Sequence, residues 1–391
     1  VVVLLLAGGF VQAATRSAAE ELTKVLPDDV VYFIATSGGD ALKDDCAKTI
    51  LGRICRDPGV QSFVKQIKSE VMAKAKEQDG GEQIPQIANM VLQYGRLILS
   101  RPIVVGVAQA ETAEGPPACL FGILNAGDRK AELEAVISQV EAMIGADEVG
   151  ETQVGSLTLR GLKNNEEFPL YWGWVGDYLI VCANDSQGVA VKYLESPRVE
   201  PTDHLQKLVG HGDVLAVYED FQKIWQTVES FAFRTGNRGE LVPIRRALDE
   251  LGVSKIGTIV ARVGFSGSNL VSSSFAEIPE PRTGLFTAIQ PADVSMLKMV
   301  DAQAVNATAM NFDLGQIYDT IMKTLQTVSP DEGYPEVQEG LAEFESEAGF
   351  RIREGLLRSL AGPAVLYSLP AGEVVEAPMG GGVVTRKLRD P

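Results

Sequence analysis

The sequence predicts an α+β fold, in which mixed, largely antiparallel sheets are covered by helices in duplicated or triplicated modules. Short runs rich in β-branched residues alternate with longer segments whose apolar residues recur three and four positions apart, the spacing of one helix face. The same succession of one strand, helical sequence and two further strands occurs three times in the 391 residues. A chain of this length can bury a sizeable core and divide into several modules.

Each module opens with a strand that follows an acidic turn, and helical sequence comes next. The opening strands are expected within residues 28–37, 212–220 and 301–313. A helix is expected over 57–76 because Phe63, Val64 and Ile67 recur at helix spacing. Pro58 lies in its first turn, where the missing N–H costs nothing.

Two more strands close each module. The second strands are expected at 101–110, 255–265 and 362–371, and the third strands at 118–127, at 269–278 and from residue 380 onward. Proline-containing polar stretches at 195–203 and 277–284 are the expected boundaries. The modules are therefore expected at 14–200, 201–280 and 281–391, and the third is expected to be truncated because the sequence stops within its last strand.

An aromatic run, FPLYWGWVGDYLIVCAND at 168–185, is expected to be a hairpin that leads into a helix over 187–196. Trp172 and Trp174 alternate with Tyr171 along the first strand, and Gly176-Asp177 is typical of a tight two-residue turn. The three rings have two interpretations. They pack in the core or between layers, as large aromatics commonly do. Alternatively, they form an exposed face that stacks on a sugar or an apolar ligand.

The first residues, VVVLLLAGGFVQAAT, are apolar and uncharged and end in a small-x-small pattern, Val11-Gln12-Ala13, of the kind that signal peptidase cleaves. The stretch of about 13 residues is shorter than the roughly 20 that span a bilayer as a helix. Residues 1–13 are therefore expected to be the remnant of a signal peptide, although a buried N-terminal helix is an alternative. The protein is expected to be secreted or to reside in the periplasm or cell envelope, without a transmembrane segment.

The charge balance argues against nucleic acid as a partner. Acidic residues outnumber basic residues by 52 to 35, which gives a net charge of −17. Binding to phosphate backbones requires clustered Lys and Arg, and the densest basic group, Arg245-Arg246, is small.

Four cysteines are compatible with an oxidising compartment: Cys46, Cys55, Cys119 and Cys182. In one continuous helix Cys46 and Cys55 would lie about 13 Å apart, too far for a disulfide. They can pair only if the helix breaks, for which Gly52 is a plausible position. Cys119 and Cys182 fall in expected strands and could be neighbours, and four buried free thiols are the other interpretation.

Motifs for catalysis and cofactors are missing. His204 and His211 are the two histidines, too few for a histidine metal cluster, and no P-loop or dinucleotide motif occurs. His211 and Asp213 in GHGD could pair as a base and its orienting carboxylate, but the segment is more typical of a loop before a strand. We therefore expect no catalytic residue, no metal and no cofactor.

Several segments resemble a bacterial secreted family of unknown function. They are LPDDVVYF, DPGVQSF, RPIVVGVA, PLYWGWVGDYLIV and, at 343–367, EFESEAGFRIREGLLRSLAGPAVLY. The resemblance spans most of the chain and rests on hydrophobic patterning. It implies a signal peptide and repeated strand–helix–hairpin modules, and it implies no activity or catalytic residue.

Two functions are compatible with the sequence. The first is a non-enzymatic secreted or envelope protein that binds a partner protein, a glycan or a lipid through a sheet face or an inter-module groove, with Trp172, Trp174 and Tyr171 as candidate binding residues. The alternative is a secreted hydrolase with paired carboxylates on facing strands. The carboxylate pairs that are adjacent in the sequence, Asp28-Asp29, Asp44-Asp45 and Glu166-Glu167, are mostly expected to be solvated.

Overall fold

The computed structural model confirms the α+β class. It describes residues 16–76, 94–110, 117–145, 147–163, 169–185, 187–208, 210, 212–304, 306–368 and 382–386. Within these residues the strands form one ten-stranded and one three-stranded sheet. The chain divides into two compact units, Val1–Arg234 with Gly257–Glu277 and Thr235–Ile256 with Ile278–Pro391.

The first unit contains the ten-stranded sheet. Its helices are α1 (Ala18–Leu22), α2 (Gly39–Lys48), α3 (Ile50–Arg56), α4 (Pro58–Lys76), α5 (94–100), α6 (Lys130–Ile144) and α7 (Phe221–Arg234). Its strands are β1 (Val30–Thr36), β2 (Ile103–Gln109), β3 (Ala118–Asn125), β4 (Val149–Val154), β5 (Leu157–Leu162), β6 (Leu170–Val175), β7 (Tyr178–Ala183), β8 (Asp213–Asp220), β9 (Thr258–Ser266) and β10 (Asn269–Ala276).

The strand order is β10-β9-β8-β1-β2-β3-β7-β6-β5-β4, and every neighbouring pair is antiparallel. Strand β1, which opens the first expected module, pairs with β8, which opens the second. The strands expected in 14–200 and 201–280 therefore form one continuous sheet. The boundary expected near residue 200 lies inside a compact unit.

One side of this sheet, called the inner face, carries the main core. Phe33, Val104, Phe121 and Ile180 project from it and are almost completely buried. Two chain segments cover them: α1 with the short 3-10 turn after it, and residues 187–208. Strands β1, β2, β3 and β7 are positioned by this packing.

The segment after β7 differs from its prediction. The helix expected over 187–196 is absent, and residues 189–194 form consecutive turns. Asp185 is fully buried, and its carboxylate accepts hydrogen bonds from the N–H groups of Val189 (2.7 Å) and Ala190 (2.8 Å). Asp185 therefore caps turns that lead the chain across the inner face.

The first helical segment does break, at Thr49, three residues before Gly52, the position that the sequence suggested for a break. Helix α2 ends at Lys48, and Thr49 caps α3 by accepting the Gly52 N–H at 3.1 Å. Gly52 allows the two helices to approach, since a Cβ there would lie 2.0 Å from the Cys46 carbonyl oxygen. Cys46 and Cys55 both carry free thiols, and a disulfide between them stays a prediction.

The second unit contains α8 (Arg238–Leu251), β11 (Asn306–Phe312), α9 (Leu314–Val328), α10 (Gly333–Ala348), β12 (Gly362–Ser368) and β13 (Gly382–Arg386). Its sheet has the order β11-β12-β13, with antiparallel pairs. Met296, Val365 and Tyr367 form its buried cluster. The strand–helix–strand–strand order expected from the third part of the sequence is present in these elements.

The signal-peptide remnant expected at 1–13 lies outside the described residues. Across the described ranges, the helices are too short or too polar to cross a membrane.

Candidate functional site

The aromatic hairpin is formed as expected, with β6 and β7 joined at Gly176-Asp177. Gly176 has a φ of 57°, a left-handed conformation that favours glycine. Trp172 is only 7% exposed, and its Nε1 donates a hydrogen bond to Glu141 of α6 at 2.8 Å. Arg160 on the neighbouring strand also contacts this carboxylate, at 2.9 Å. Trp172 is therefore held between the sheet and α6.

Trp174 and Tyr171 complete the set of candidate binding residues. Trp174 is half-buried among Leu133 and other apolar side chains, and the Lys130 ammonium lies 5.4 Å from its ring. Tyr171 points to the opposite face and packs against the inner core. The three rings thus belong to two different faces and do not form a common exposed platform.

The carboxylates offer little support for a hydrolase. Asp28 accepts hydrogen bonds from Lys192 (2.6 Å), Tyr193 (2.6 Å) and Arg198 (2.6 Å). The Lys192 and Tyr193 hydrogen bonds hold the pKa of Asp28 well below its usual range. A glycosidase general acid requires a raised pKa, so Asp28 has the opposite property. The pair at 166–167 lies outside the described residues.

Asp213 pairs with an arginine in the core of the first unit. It begins β8, fully buried, and its carboxylate accepts hydrogen bonds from Arg262 Nε (2.9 Å), Arg262 Nη2 (2.5 Å) and the Ser17 hydroxyl. Arg262 Nη2 also contacts Glu20 at 3.2 Å. These groups connect α1, β8 and β9 and have no access to a substrate. His211 lies outside the described residues.

The second histidine, His204, is part of the core packing. Its ring lies 4.4 Å from that of Tyr218 and 6.0 Å from that of Phe33, both edge to face. Its Nδ1 is 2.6 Å from the hydroxyl of Thr202. Burial lowers the pKa of His204, so the imidazole is held in its neutral form.

A buried carboxyl and two thiols occupy the inner core. Burial raises the pKa of Asp185, which serves as the turn cap described above. Cys119 and Cys182 lie on neighbouring strands in the same core cluster and are free thiols. Burial raises the pKa of Cys119 to about 12 and also raises that of Cys182. Both thiols are therefore protonated and unreactive at neutral pH.

Two open clefts are polar. One of about 600 Å³ lies between α5 and α6, and Arg129 in it donates to Glu132 at 2.8 Å. The other, of about 360 Å³, lies beside Gln109 and Thr227. Neither cleft combines an apolar lining with the convergent polar groups that characterise most small-molecule sites.

An apolar surface lies on the side of the ten-stranded sheet opposite the inner face, here called the outer face. Five large apolar side chains project from it on five adjacent strands and are 38 to 53% exposed; they define the outer strip: Ile34, Val105, Leu120, Val181 and Leu215. Strand pairing aligns them, since Ile34 lies opposite Val105 and the intervening position before Val181 is Gly122.

The outer strip is bordered by helices. Helix α6 packs its apolar side chains, including Leu133 and Ile137, on the β3–β7–β6 part of the outer face, where Trp174 also lies. On the other side α7 contacts β1, β8 and β9, and Gln109 donates to Thr227 of α7 at 3.2 Å. The strip is thus an open apolar surface beside a helix that already packs on the same sheet.

Gly122 lowers the middle of the strip. A Cβ at this position would meet its nearest neighbour, Val105 Cγ2, only at 3.9 Å. The space above the glycine is therefore open, with Val105 on one side and Val181 on the other. This depression can receive a side chain from a docked molecule.

The described residues contain no group of histidine, cysteine or carboxylate side chains that could hold a metal ion. Comparisons of the chain with models of protein families, with curated proteins and with solved structures returned no match. The site is therefore defined by its geometry alone.

Sequence reasoning did not identify the outer strip, although the signal was present. IVVGVA in β2, CLFGIL in β3 and YLIVCA in β7 are apolar at consecutive positions. This pattern is typical of strands buried on both faces. The structure covers their inner side chains and leaves Val105, Leu120 and Val181 exposed on the other face.

Proposed function

We propose that this is a non-enzymatic protein that binds a partner protein through the outer strip. The observation that carries the proposal is the mismatch between sequence and exposure. An antiparallel sheet with one solvated face normally alternates apolar and polar residues. Here Ile34, Val105 and Val181 are apolar at positions that face solvent in the isolated chain. Such a patch is typical of an interaction site.

An amphipathic helix is the partner element that fits best. The strip crosses five strands, or about 19 Å at about 4.8 Å per strand spacing, which a helix of about 13 residues covers. Helix α6 already packs on the same face, so a second helix beside it would continue that layer. Partner recognition of this kind reads apolar anchors three and four residues apart.

Lipid and glycan ligands are less well supported. A lipid acyl chain requires a concave, enclosed site, and the strip is an open sheet surface. The net charge of −17 also opposes anionic headgroups. A glycan would stack on exposed aromatic rings, but Trp172 is buried and Trp174 is half-covered by α6.

We further propose that the protein works outside the cytoplasm and contains an internal repeat. The apolar leader with its small-x-small pattern at 11–13 supports secretion or an envelope location. The resemblance to a bacterial secreted family supports the same location. The recurring strand–helix–strand–strand order of β1–β3, β8–β10 and β11–β13 supports the repeat.

Photo-crosslinking in the cells that make the protein tests the binding proposal. A benzophenone amino acid replaces Val105, at the centre of the strip. In a matched control it replaces Val199, which is 88% exposed and lies in the segment that covers the inner face. Crosslinked peptides are then sequenced. The proposal predicts crosslinks from position 105 to one segment of another protein with apolar residues at helix spacing, and none to that segment from position 199.

Three results would overturn the proposal. Crosslinks to a lipid would indicate a lipid-binding face. Crosslinks to α4 of the same chain would indicate an internal cover, since Phe63 and Val64 of α4 are themselves exposed. Equal labelling from both positions would indicate non-specific contact. As a further control, Leu120→Asp should lower a specific crosslinking yield by about tenfold or more, equivalent to about 1.4 kcal/mol, and Val199→Asp should not.

A further inference from the structure

Strand β10 has one unpaired edge, at the end of the ten-stranded sheet. It pairs with β9 through a two-residue turn, so Ser266 and Asn269 form a hydrogen-bonded pair. The alternation of an antiparallel ladder then directs the odd-numbered residues of β10 toward β9. The Glu277 N–H, which donates to Thr258 at 2.8 Å, follows the same alternation.

The even-numbered residues of β10 therefore present their backbone groups to the open edge. They are Leu270, Ser272, Ser274 and Ala276. Each supplies one N–H donor and one C=O acceptor pointing away from β9. None of the other described strands pairs with them.

The opposite end of the sheet is protected in a way that β10 is not. Edge strand β4 has six residues and includes Gly150 and the charged Glu151. The Lys163 side chain crosses it, since a Cβ on Gly150 would lie 2.9 Å from Lys163 Cε. Strand β10, NLVSSSFA, has eight residues and a continuous register, without a charge, a proline or a bulge. Natural edges normally carry such protective features.

We propose that β10 pairs antiparallel with β10 of a second copy of this chain, about a two-fold axis at Ser273. In this register Ser272 lies opposite Ser274 of the second copy, and Leu270 lies opposite Ala276. All four outward residues then form hydrogen-bonded pairs. Val271 meets Phe275 of the second copy, and the symmetry axis repeats this apolar contact.

The backbone alternation and the side chains agree on this register. Ser273 and the Val271–Phe275 contacts fall at non-hydrogen-bonded positions, where facing side chains approach more closely. Their side chains share one face of the sheet, as cross-strand partners must. No charged residue lies within 269–276, so the pairing brings no like charges together despite the net charge of −17.

The same edge-to-edge arrangement already exists inside the chain. Strands β1 and β8 pair antiparallel and join the two strand–helix–strand–strand groups of the first unit. The proposed pairing of β10 joins two sheets in the same way and gives one twenty-stranded sheet, since each copy contributes ten strands.

A single strand pair is a small interface, so the dimer is expected to be weak, with a dissociation constant in the range of about 1–100 μM.

Disulfide trapping tests the register. Ser273→Cys is placed in a Cys46→Ser, Cys55→Ser background to remove the two accessible native thiols. Across the proposed axis the two Cα atoms at position 273 would be about 4.5 Å apart, within the range of a disulfide. The matched control is Ser274→Cys, one residue further along, which faces Ser272 of the second copy. Mild oxidation should yield a covalent dimer at least about tenfold faster for Ser273→Cys.

Sedimentation velocity of the full chain provides the second measurement. Wild type should dimerise with rising concentration, and Ser272→Pro should shift the dissociation constant upward by about tenfold or more, since proline removes an outward donor and leaves the β9 ladder intact. Unchanged circular dichroism would confirm the fold. A wild type that stays monomeric at about 200 μM, a dimer that is insensitive to Ser272→Pro, or equal oxidation rates at 273 and 274 would each overturn the proposal.

Discussion

Removal of the Asp213 carboxylate should sharply destabilise the first unit. Asp213 is completely buried, and Arg262, which is 3% exposed, donates two hydrogen bonds to it at 2.9 and 2.5 Å. Asp213→Ala leaves the buried guanidinium with Glu20, at 3.2 Å, as its one remaining carboxylate partner. Breaking a buried ion pair from one side costs about 3–5 kcal/mol, so this is the expected loss in the free energy of unfolding.

A double-mutant cycle separates the pair from its surroundings. Arg262→Met should also cost about 3–5 kcal/mol, because it strands Asp213 and leaves two carbonyl oxygens, of Leu205 and Leu208, without their donor. The double variant Asp213→Ala with Arg262→Met removes both charges of the pair. Its loss should fall short of the sum of the single losses by at least about 1 kcal/mol.

Tryptophan fluorescence during urea unfolding measures these effects in the first unit. All three tryptophans, Trp172, Trp174 and Trp225, lie there. Asp28→Ala is the matched control, since it breaks exposed ion pairs and should cost no more than about 1 kcal/mol. If Asp213→Ala costs as little as Asp28→Ala, the Asp213–Arg262 pair is not shielded from water and does not stabilise the first unit as expected.

Three further predictions concern packing and pH. Gly106→Ala should lower the free energy of unfolding by about 1–3 kcal/mol in urea, because the new Cβ would lie 2.5 Å from the Tyr32 carbonyl oxygen. Gly122→Ala, where the space is open, should change it by no more than about 0.5 kcal/mol. Equal effects of the two substitutions would contradict the packing described. Trp172→Ala should cost about 3–5 kcal/mol, and a neutral result would place the ring at the surface. Because the pKa of His204 is lowered in the fold, its contribution to stability should be fully present above the unfolded pKa of about 6.5 and decline as pH falls below it. His204→Gln should reduce the loss of stability that the wild type shows between about pH 7.5 and about pH 5.5. A pH profile of stability that is unchanged in this variant would refute the assignment.

Most of the strands followed from the sequence because their local signals were strong. β1, β2 and β3 are runs of β-branched and aromatic residues bounded by turn residues, and the structure places strands there. The turn at Gly176-Asp177 was equally clear. The hairpin of β4 and β5 was missed, since Gly150, Gly155 and Gly161 interrupt its pattern.

The misplaced elements reflect tertiary contacts that a local pattern does not contain. Residues 189–194 have helix-like spacing, but Ala190 and Val191 are buried under the sheet and the Asp185 carboxylate holds the turns. The helix break at Thr49 depends on the close approach of Gly52 to Cys46. Neither contact is visible in the spacing of apolar residues.

The candidate site was less predictable than the fold. The aromatic residues at 171–174 were candidate binding residues because aromatic side chains are concentrated there. In the structure these side chains pack against α6 and the inner core. The outer strip consists of ordinary valine, leucine and isoleucine side chains. The strip is exposed because α6 and α7 pack on the sheet beside it. The positions of these helices cannot be read from the strand sequences.

The outer face of β2 is open in the isolated protein, whereas its inner face is closed. Val104 and Val105 are adjacent in β2 and are 0% and 53% exposed. Urea unfolding of purified Val104→Thr and Val105→Thr compares the two faces. We expect the free energy of unfolding to fall by about 1–3 kcal/mol for Val104→Thr and to change by no more than about 0.5 kcal/mol for Val105→Thr. Equal losses at both positions would show that the outer strip is buried within the chain itself and would contradict its assignment as a docking surface.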